Sequence, residues 1–150
     1  MPVATSGAAP HTISERSAEG TVRAFLSALE QLDFDATMAL AAPNIRWVNA
    51  PLTSARDKAG FGRACRGMFK MVTRFEVEFL DIHERGEGIV YTDRIDTIEG
   101  GGLRMKIGVQ GEFRVENGLV VDWVDRFSWP HAIGDILRSL PAIVISRLRG

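Results

Sequence analysis

The chain has 150 residues, 45% of them hydrophobic and 25% charged, with a formal net charge of −1. This balance suits one globular domain long enough to bury a core, and it lacks both the basic excess that nucleic acid requires and an acidic tail. No segment approaches the roughly twenty apolar residues of a membrane span, and residues 1–7 lack the basic start and apolar run of a signal peptide, so a cytoplasmic protein is expected.

Residues 1–12 are small, polar and proline-containing and are expected to be disordered, leaving residues 13–150 as a single α+β domain. Val22, Phe25, Leu26 and Leu29 recur at helical spacing, with Ser14 or Ser17 as the cap. A second short helix is predicted over 35–41, capped by Asp33 or Asp35 and ended by Pro43. Residues 45–49 read as a strand stopped by Pro51, with Trp47 and Asn49 on one face. Between Lys58 and Met71, Phe61, Ala64, Cys65, Met68 and Phe69 mark a third amphipathic helix. Cys65, the single cysteine, rules out an intramolecular disulfide and reads as a small residue packed on that helix.

The period then changes from 3.6 to 2. Phe75, Val77 and Phe79 alternate with charged residues, Gly86–Gly88 turns the chain into a strand over 89–98, and Gly100–Gly102 turns it again. Leu103, Met105, Ile107, Val109, Phe113 and Val115 then line one face of a long strand. Asn117-Gly118 is a hairpin signal returning the chain along 119–128. After Pro130 an apolar helix, broken at Pro141, is placed to cap the mouth of a cavity enclosed by the curved meander.

Two strands carry ionised groups where a strand is normally apolar. Arg94 and Asp96 are two apart and share a face, and Asp125 is flanked on its own face by Trp123 and Phe127. On spacing alone, Arg94 and Asp96 fit a surface ion pair equally well, because Ile89, Tyr91 and Ile95 make the opposite face as apolar. Asp125 tips the reading towards the interior, since an unpaired buried carboxylate costs several kcal/mol. One arginine between two aspartates leaves one negative charge uncompensated, so one carboxyl should keep a proton and act as acid while the other acts as base. The pair titrates as a unit.

The order of elements resembles the cystatin-like α+β cone of nuclear-transport-factor-2-like (NTF2-like) proteins, a curved, mainly antiparallel mixed sheet packed by N-terminal helices around an apolar pocket. The run Val90-Tyr91-Thr92-Asp93-Arg94-Ile95-Asp96, with Trp123-x-Asp125-x-Phe127 and Trp47-x-Asn49, is similar to the limonene-1,2-epoxide hydrolase family over roughly residues 18–129. The resemblance implies Arg94 as the bridging arginine, Asp96 as general acid, Asp125 as water-activating base and Asn49 as the water-holding amide. It also implies a homodimer. Where the family has tyrosine two residues before the asparagine, this chain has Trp47, which can donate but not accept.

The expected activity is cofactor-independent hydrolysis of a hydrophobic small-molecule epoxide to a vicinal diol by general acid–base attack of water. Trp47, Met68, Ile98, Ile107, Val109 and Phe127 are expected to line the substrate cavity. His11, His83 and His131 share no ligand spacing, so no metal site is expected, and no glycine-rich phosphate loop follows a strand. Two other functions fit the same fold: an isomerase or epoxide-opening cyclase, and a non-catalytic small-molecule-binding or dimerisation module.

Overall fold

The computed structural model describes residues 17–50 and 53–127. Helix α1 (Ala18–Glu30) starts where Ser17 accepts a hydrogen bond from the Gly20 N–H at 3.0 Å, satisfying one of the unpaired donors of the first turn. Its stripe of Val22, Phe25, Leu26 and Leu29 is buried against the sheet. Helix α2 (Phe34–Ala39) is capped by Asp33. Helix α3 (Lys58–Met71) is capped by Asp57 and spans the predicted residues, burying Phe61 and Cys65.

Six strands follow one another in space as β2-β1-β6-β5-β4-β3. They are β1 (Ala41–Ala50), β2 (Thr53–Ala55), β3 (Arg74–Glu84), β4 (Ile89–Gly100), β5 (Leu103–Glu116) and β6 (Leu119–Phe127). β3 to β6 form the expected antiparallel meander. Asn117 (φ 51°) and Gly118 (φ 73°) supply the paired left-handed residues of the last hairpin. β1 then adds to β6 in parallel, with Trp47 beside Trp123 and Asn49 beside Asp125. The result is a mixed sheet packed on one face by the helices, as expected for the nuclear-transport-factor-2-like cone.

Two expectations are corrected, on what ends α2 and on where β1 begins. Pro43 does not end α2: the helix stops at Ala39, and Pro43 lies inside β1, where the β1–β6 register shifts between Ala41 and Arg46. An irregular stretch of ladder is where a residue without an N–H is tolerated. β1 begins four residues before the predicted Ile45, and the short strand β2 was not foreseen. Leu80 forms a bulge between Phe79 and Asp81 that interrupts the alternation of β3 and leaves it 57% exposed. The N-terminal tail and the helix after Pro130 lie outside the described residues.

Candidate active site

β4 turns Val90, Thr92, Arg94 and Asp96 inward, so the polar face of this strand is the interior one. Arg94 is 1% exposed, Asp96 5% and Asp125 4%. Every N–H of the guanidinium has an acceptor. Nε donates to Asp96 Oδ1 at 2.9 Å, and Nη2 donates to Asp96 Oδ2 at 3.2 Å and to Asp125 Oδ2 at 2.5 Å. Nη1 donates to Asp125 Oδ1 at 3.1 Å and to the Thr92 hydroxyl at 3.0 Å. A buried charge is tolerated when it is paired and its hydrogen-bonding capacity is filled, and Arg94 meets both conditions.

The three strands bring these groups together by register. Thr92 on β4 faces Gly111 on β5, and Gly111 faces Asp125 on β6. A Cβ at position 111 would stand 2.5 Å from Arg94 Nη1, 2.6 Å from Thr92 Oγ1 and 2.8 Å from Asp125 Oδ1. Only a residue without a side chain lets the guanidinium lie flat on the sheet there. Thr92 and Gly111 were not singled out from the sequence. The one available signal was the glycine interrupting an otherwise regular inward face between Val109 and Phe113.

Burial pushes the Asp96 carboxyl up to about 6, against the lowering pull of Arg94, and the charges of Asp125 and Glu30 add to the rise. For Arg94, burial opposes the charged form, but the two carboxylates outweigh it and its pKa is raised. Asp125 accepts three N–H bonds, the third from the Trp123 indole at 2.7 Å, whereas Asp96 accepts two. Hydrogen bonds to a carboxylate favour its ionised form, so a single shared proton belongs on Asp96.

The triad closes one end of a cavity of about 500 Å³ whose walls are mostly apolar. Leu29 comes from α1, Phe61, Cys65 and Met68 from α3, and Ile98 and Phe127 from the sheet. Trp47 and Asn49 also line it, so the cavity gathers Asn49, Trp47, Met68, Ile98 and Phe127 around Arg94, Asp96 and Asp125 as expected. Ile107 and Val109 stand on the inner face opposite Asp96 and Arg94 but are not among the lining residues. Val109 is 1% exposed and sits in the packed layer between β4 and β6.

Asn49 lies beside Asp125 in the β1–β6 ladder and lines the cavity. The Trp47 N–H is buried, closed to solvent and without an acceptor among the described residues. Its ring packs edge-on against Phe61 at 5.6 Å and tilted against Trp123 at 6.0 Å, so Trp47 serves as a wall of the cavity. Among the described residues, no group of three or more His, Cys, Asp or Glu is arranged to hold a metal ion. Nor is any helix among them long and apolar enough to cross a membrane.

Comparison with known proteins agrees with this geometry. The profile of the family described as "Limonene-1,2-epoxide hydrolase catalytic domain" matches residues 16–139. Epoxide hydrolase EphG of Mycobacterium tuberculosis is 30% identical over 140 residues, covering 93% of each chain. A solved limonene-epoxide-hydrolase-like epoxide hydrolase of M. tuberculosis superposes with a TM-score of 0.77 at 31% identity, covering 91% of this chain and 99% of that one. A SnoaL-like polyketide cyclase of Shewanella denitrificans, at 12% identity and a TM-score of 0.74 over 82% of this chain and 98% of its own, shares the fold. With the buried arginine, its two aspartates and the asparagine beside them in place, the chain belongs to the limonene-1,2-epoxide hydrolase family.

Proposed function

We propose that this protein opens a hydrophobic small-molecule epoxide to a vicinal diol in one step, with Asp96 as acid, Asp125 as base and Asn49 holding the attacking water. The observation that carries this reading is a fully hydrogen-bonded arginine shared by two buried carboxylates at the polar end of an apolar cavity. Family membership supports the same reaction type.

In the proposed step, Asp125 removes a proton from water as its oxygen bonds to one epoxide carbon. The C–O bond to that carbon breaks, and the epoxide oxygen takes the proton of Asp96. The ring releases its own strain, so no covalent enzyme intermediate is needed. Arg94 keeps both carboxyl groups in place while the charge passes from one to the other. The step leaves the proton on Asp125, and its return to Asp96 by exchange with solvent resets the pair. An apolar substrate filling the cavity removes water from around Asp96, which further favours its protonated form. The cavity volume falls within the range that accommodates drug-sized ligands, which suits a terpene, fatty or sterol-like epoxide.

The family relation also supports a homodimer, which sedimentation at twice the chain mass would bear out. The reaction is tested by mass spectrometry of products from apolar epoxides in oxygen-18 water, alongside Asp125→Asn. One labelled oxygen in the diol, lost in a folded Asp125→Asn protein, is the expected result. Ring-opened product without label would replace hydrolysis by intramolecular opening, and binding without turnover of any epoxide would leave a binding module.

A further inference from the structure

We propose that Trp123 is a positioning residue of the acid–base pair: its indole N–H occupies Oδ1 of Asp125 and so makes Oδ2 the atom that takes the proton from water. The inference rests on the hydrolytic reading for the source of that proton; the Trp123–Asp125 coupling itself does not depend on it.

Lone pairs distinguish the two oxygens of Asp125. A carboxylate oxygen offers two in-plane acceptor sites. Oδ1 of Asp125 accepts from Trp123 Nε1 at 2.7 Å and from Arg94 Nη1 at 3.1 Å, so both of its sites are taken. Among the described residues Oδ2 accepts only from Arg94 Nη2, at 2.5 Å, and one site remains. Oδ1 also lies over the backbone of Gly111, 2.8 Å from where a Cβ would stand, which places it on the floor of the site. Oδ2 is therefore the oxygen with capacity for a water.

The donor itself is rigidly placed. Trp123 and Asp125 are two apart on β6 and point to the same face. The Trp123 ring, 7% exposed, stacks on Phe113 at 5.5 Å and meets Phe25 edge-on at 5.2 Å and Phe61 at 6.1 Å. Rings on three elements thus fix the indole, and with it the direction of the N–H. If Trp123 served only as core, its N–H would need no tie to a group that changes charge during the reaction. When Asp125 is protonated on Oδ2, Oδ1 becomes the carbonyl oxygen and can keep both donors, so the indole bond survives the proton transfer.

Other charged and titratable groups bear on this pair. Arg94 and Asp96 come from β4, Glu30 from α1 acts on Asp96 through its charge, and Cys65 from α3 lines the cavity. β1 contributes Asn49 and β5 contributes Gly111, neither of which titrates.

The test combines indole ¹⁵N–¹H resonances with pH–rate profiles. The Trp123 resonance, assigned by its loss in Trp123→Phe, is expected to move with pH in step with the acidic limb of kcat/KM and to lose that dependence in Asp125→Asn. In Trp123→Phe the acidic limb should shift to higher pH by about one unit, the loss of one hydrogen bond to a charged group. An unmoved acidic limb in folded Trp123→Phe, or an indole resonance indifferent to both pH and Asp125→Asn, would overturn the proposal. The resonance titration needs only wild type and Asp125→Asn if the phenylalanine variant misfolds. It also decides the coupling if no epoxide is turned over, so failure of the hydrolytic reading is recognised separately.

Discussion

Adding one methyl group at Gly111 should dismantle the site. Gly111 does not have a positive φ, so its requirement is for space and not for an unusual backbone angle. Alanine would put its Cβ 2.5 Å from Arg94 Nη1, and relief to ordinary van der Waals contact means a displacement of about 1 Å. Nη1 makes two hydrogen bonds, of 3.0 and 3.1 Å, and such a shift takes both past useful length. Losing two bonds to a charged group, with overpacking against the floor of the site, costs on the order of 4 kcal/mol. For a chain of this size that corresponds to a fall of roughly 10 °C in Tm. A misplacement of this size at the reacting groups also lowers turnover by about a hundredfold. Calorimetry, together with kcat/KM on an epoxide found by the labelled-water assay, measures both effects. A Gly111→Ala protein melting within about 2 °C of wild type, with turnover retained, would mean that Arg94 does not lie flat against β5, and the account of the triad would fail.

Asp96 ties stability to pH. Its folded value of about 6 lies above the ordinary 3.8, so its contribution to stability is complete below about pH 4 and is lost as pH rises through 6. The change amounts to about 3 kcal/mol at 1.36 kcal/mol per unit, and Asp96→Asn should flatten the denaturant-measured pH dependence over that interval. Because the acid must carry its proton, kcat/KM of the wild type should fall above about pH 6; a rate rising through that range would exchange the roles of acid and base. Cys65, buried and pushed up to about 12 by that burial, should resist iodoacetamide at pH 8 in the native protein and react only on unfolding. Rapid native-state alkylation would show that the reagent reaches Cys65 through the cavity or that α3 opens.

Local patterning made the regular parts legible. The apolar stripe of α3 gave its limits, and alternation gave the inward face of β5 from Met105 onward, whereas Leu103 at the start of the strand is 37% exposed. On β4 the alternation was ambiguous, since both faces mix apolar and charged residues, and only Asp125 between Trp123 and Phe127 suggested that the charged face turns inward. The parallel pairing of β1 with β6 left no local trace: it joins residues near 47 to residues near 123, with no turn between them to announce it. Thr92 was hidden for another reason. Its site role depends on a guanidinium reaching back from Arg94, and a threonine in a strand is ordinary. The Trp123 N–H likewise reads as core until its acceptor is seen.

The division of the site between strands bears on how it tolerates substitution. Arg94, Asp96, Gly111 and Asp125 lie on β4, β5 and β6, a contiguous stretch of chain whose strands pair by hairpins. Asn49 and Trp47 arrive separately, on a strand that joins only by the parallel ladder at the other side of β6. In the proposed reaction, the groups that would move protons and the amide that would hold the water therefore lie on separate stretches of chain. On the proposed mechanism, substitutions in β1 would alter the surroundings of the water while leaving the ion pairs between β4 and β6 in place. A scaffold divided in this way can explore new ring-opening chemistry while its acid and base remain unchanged.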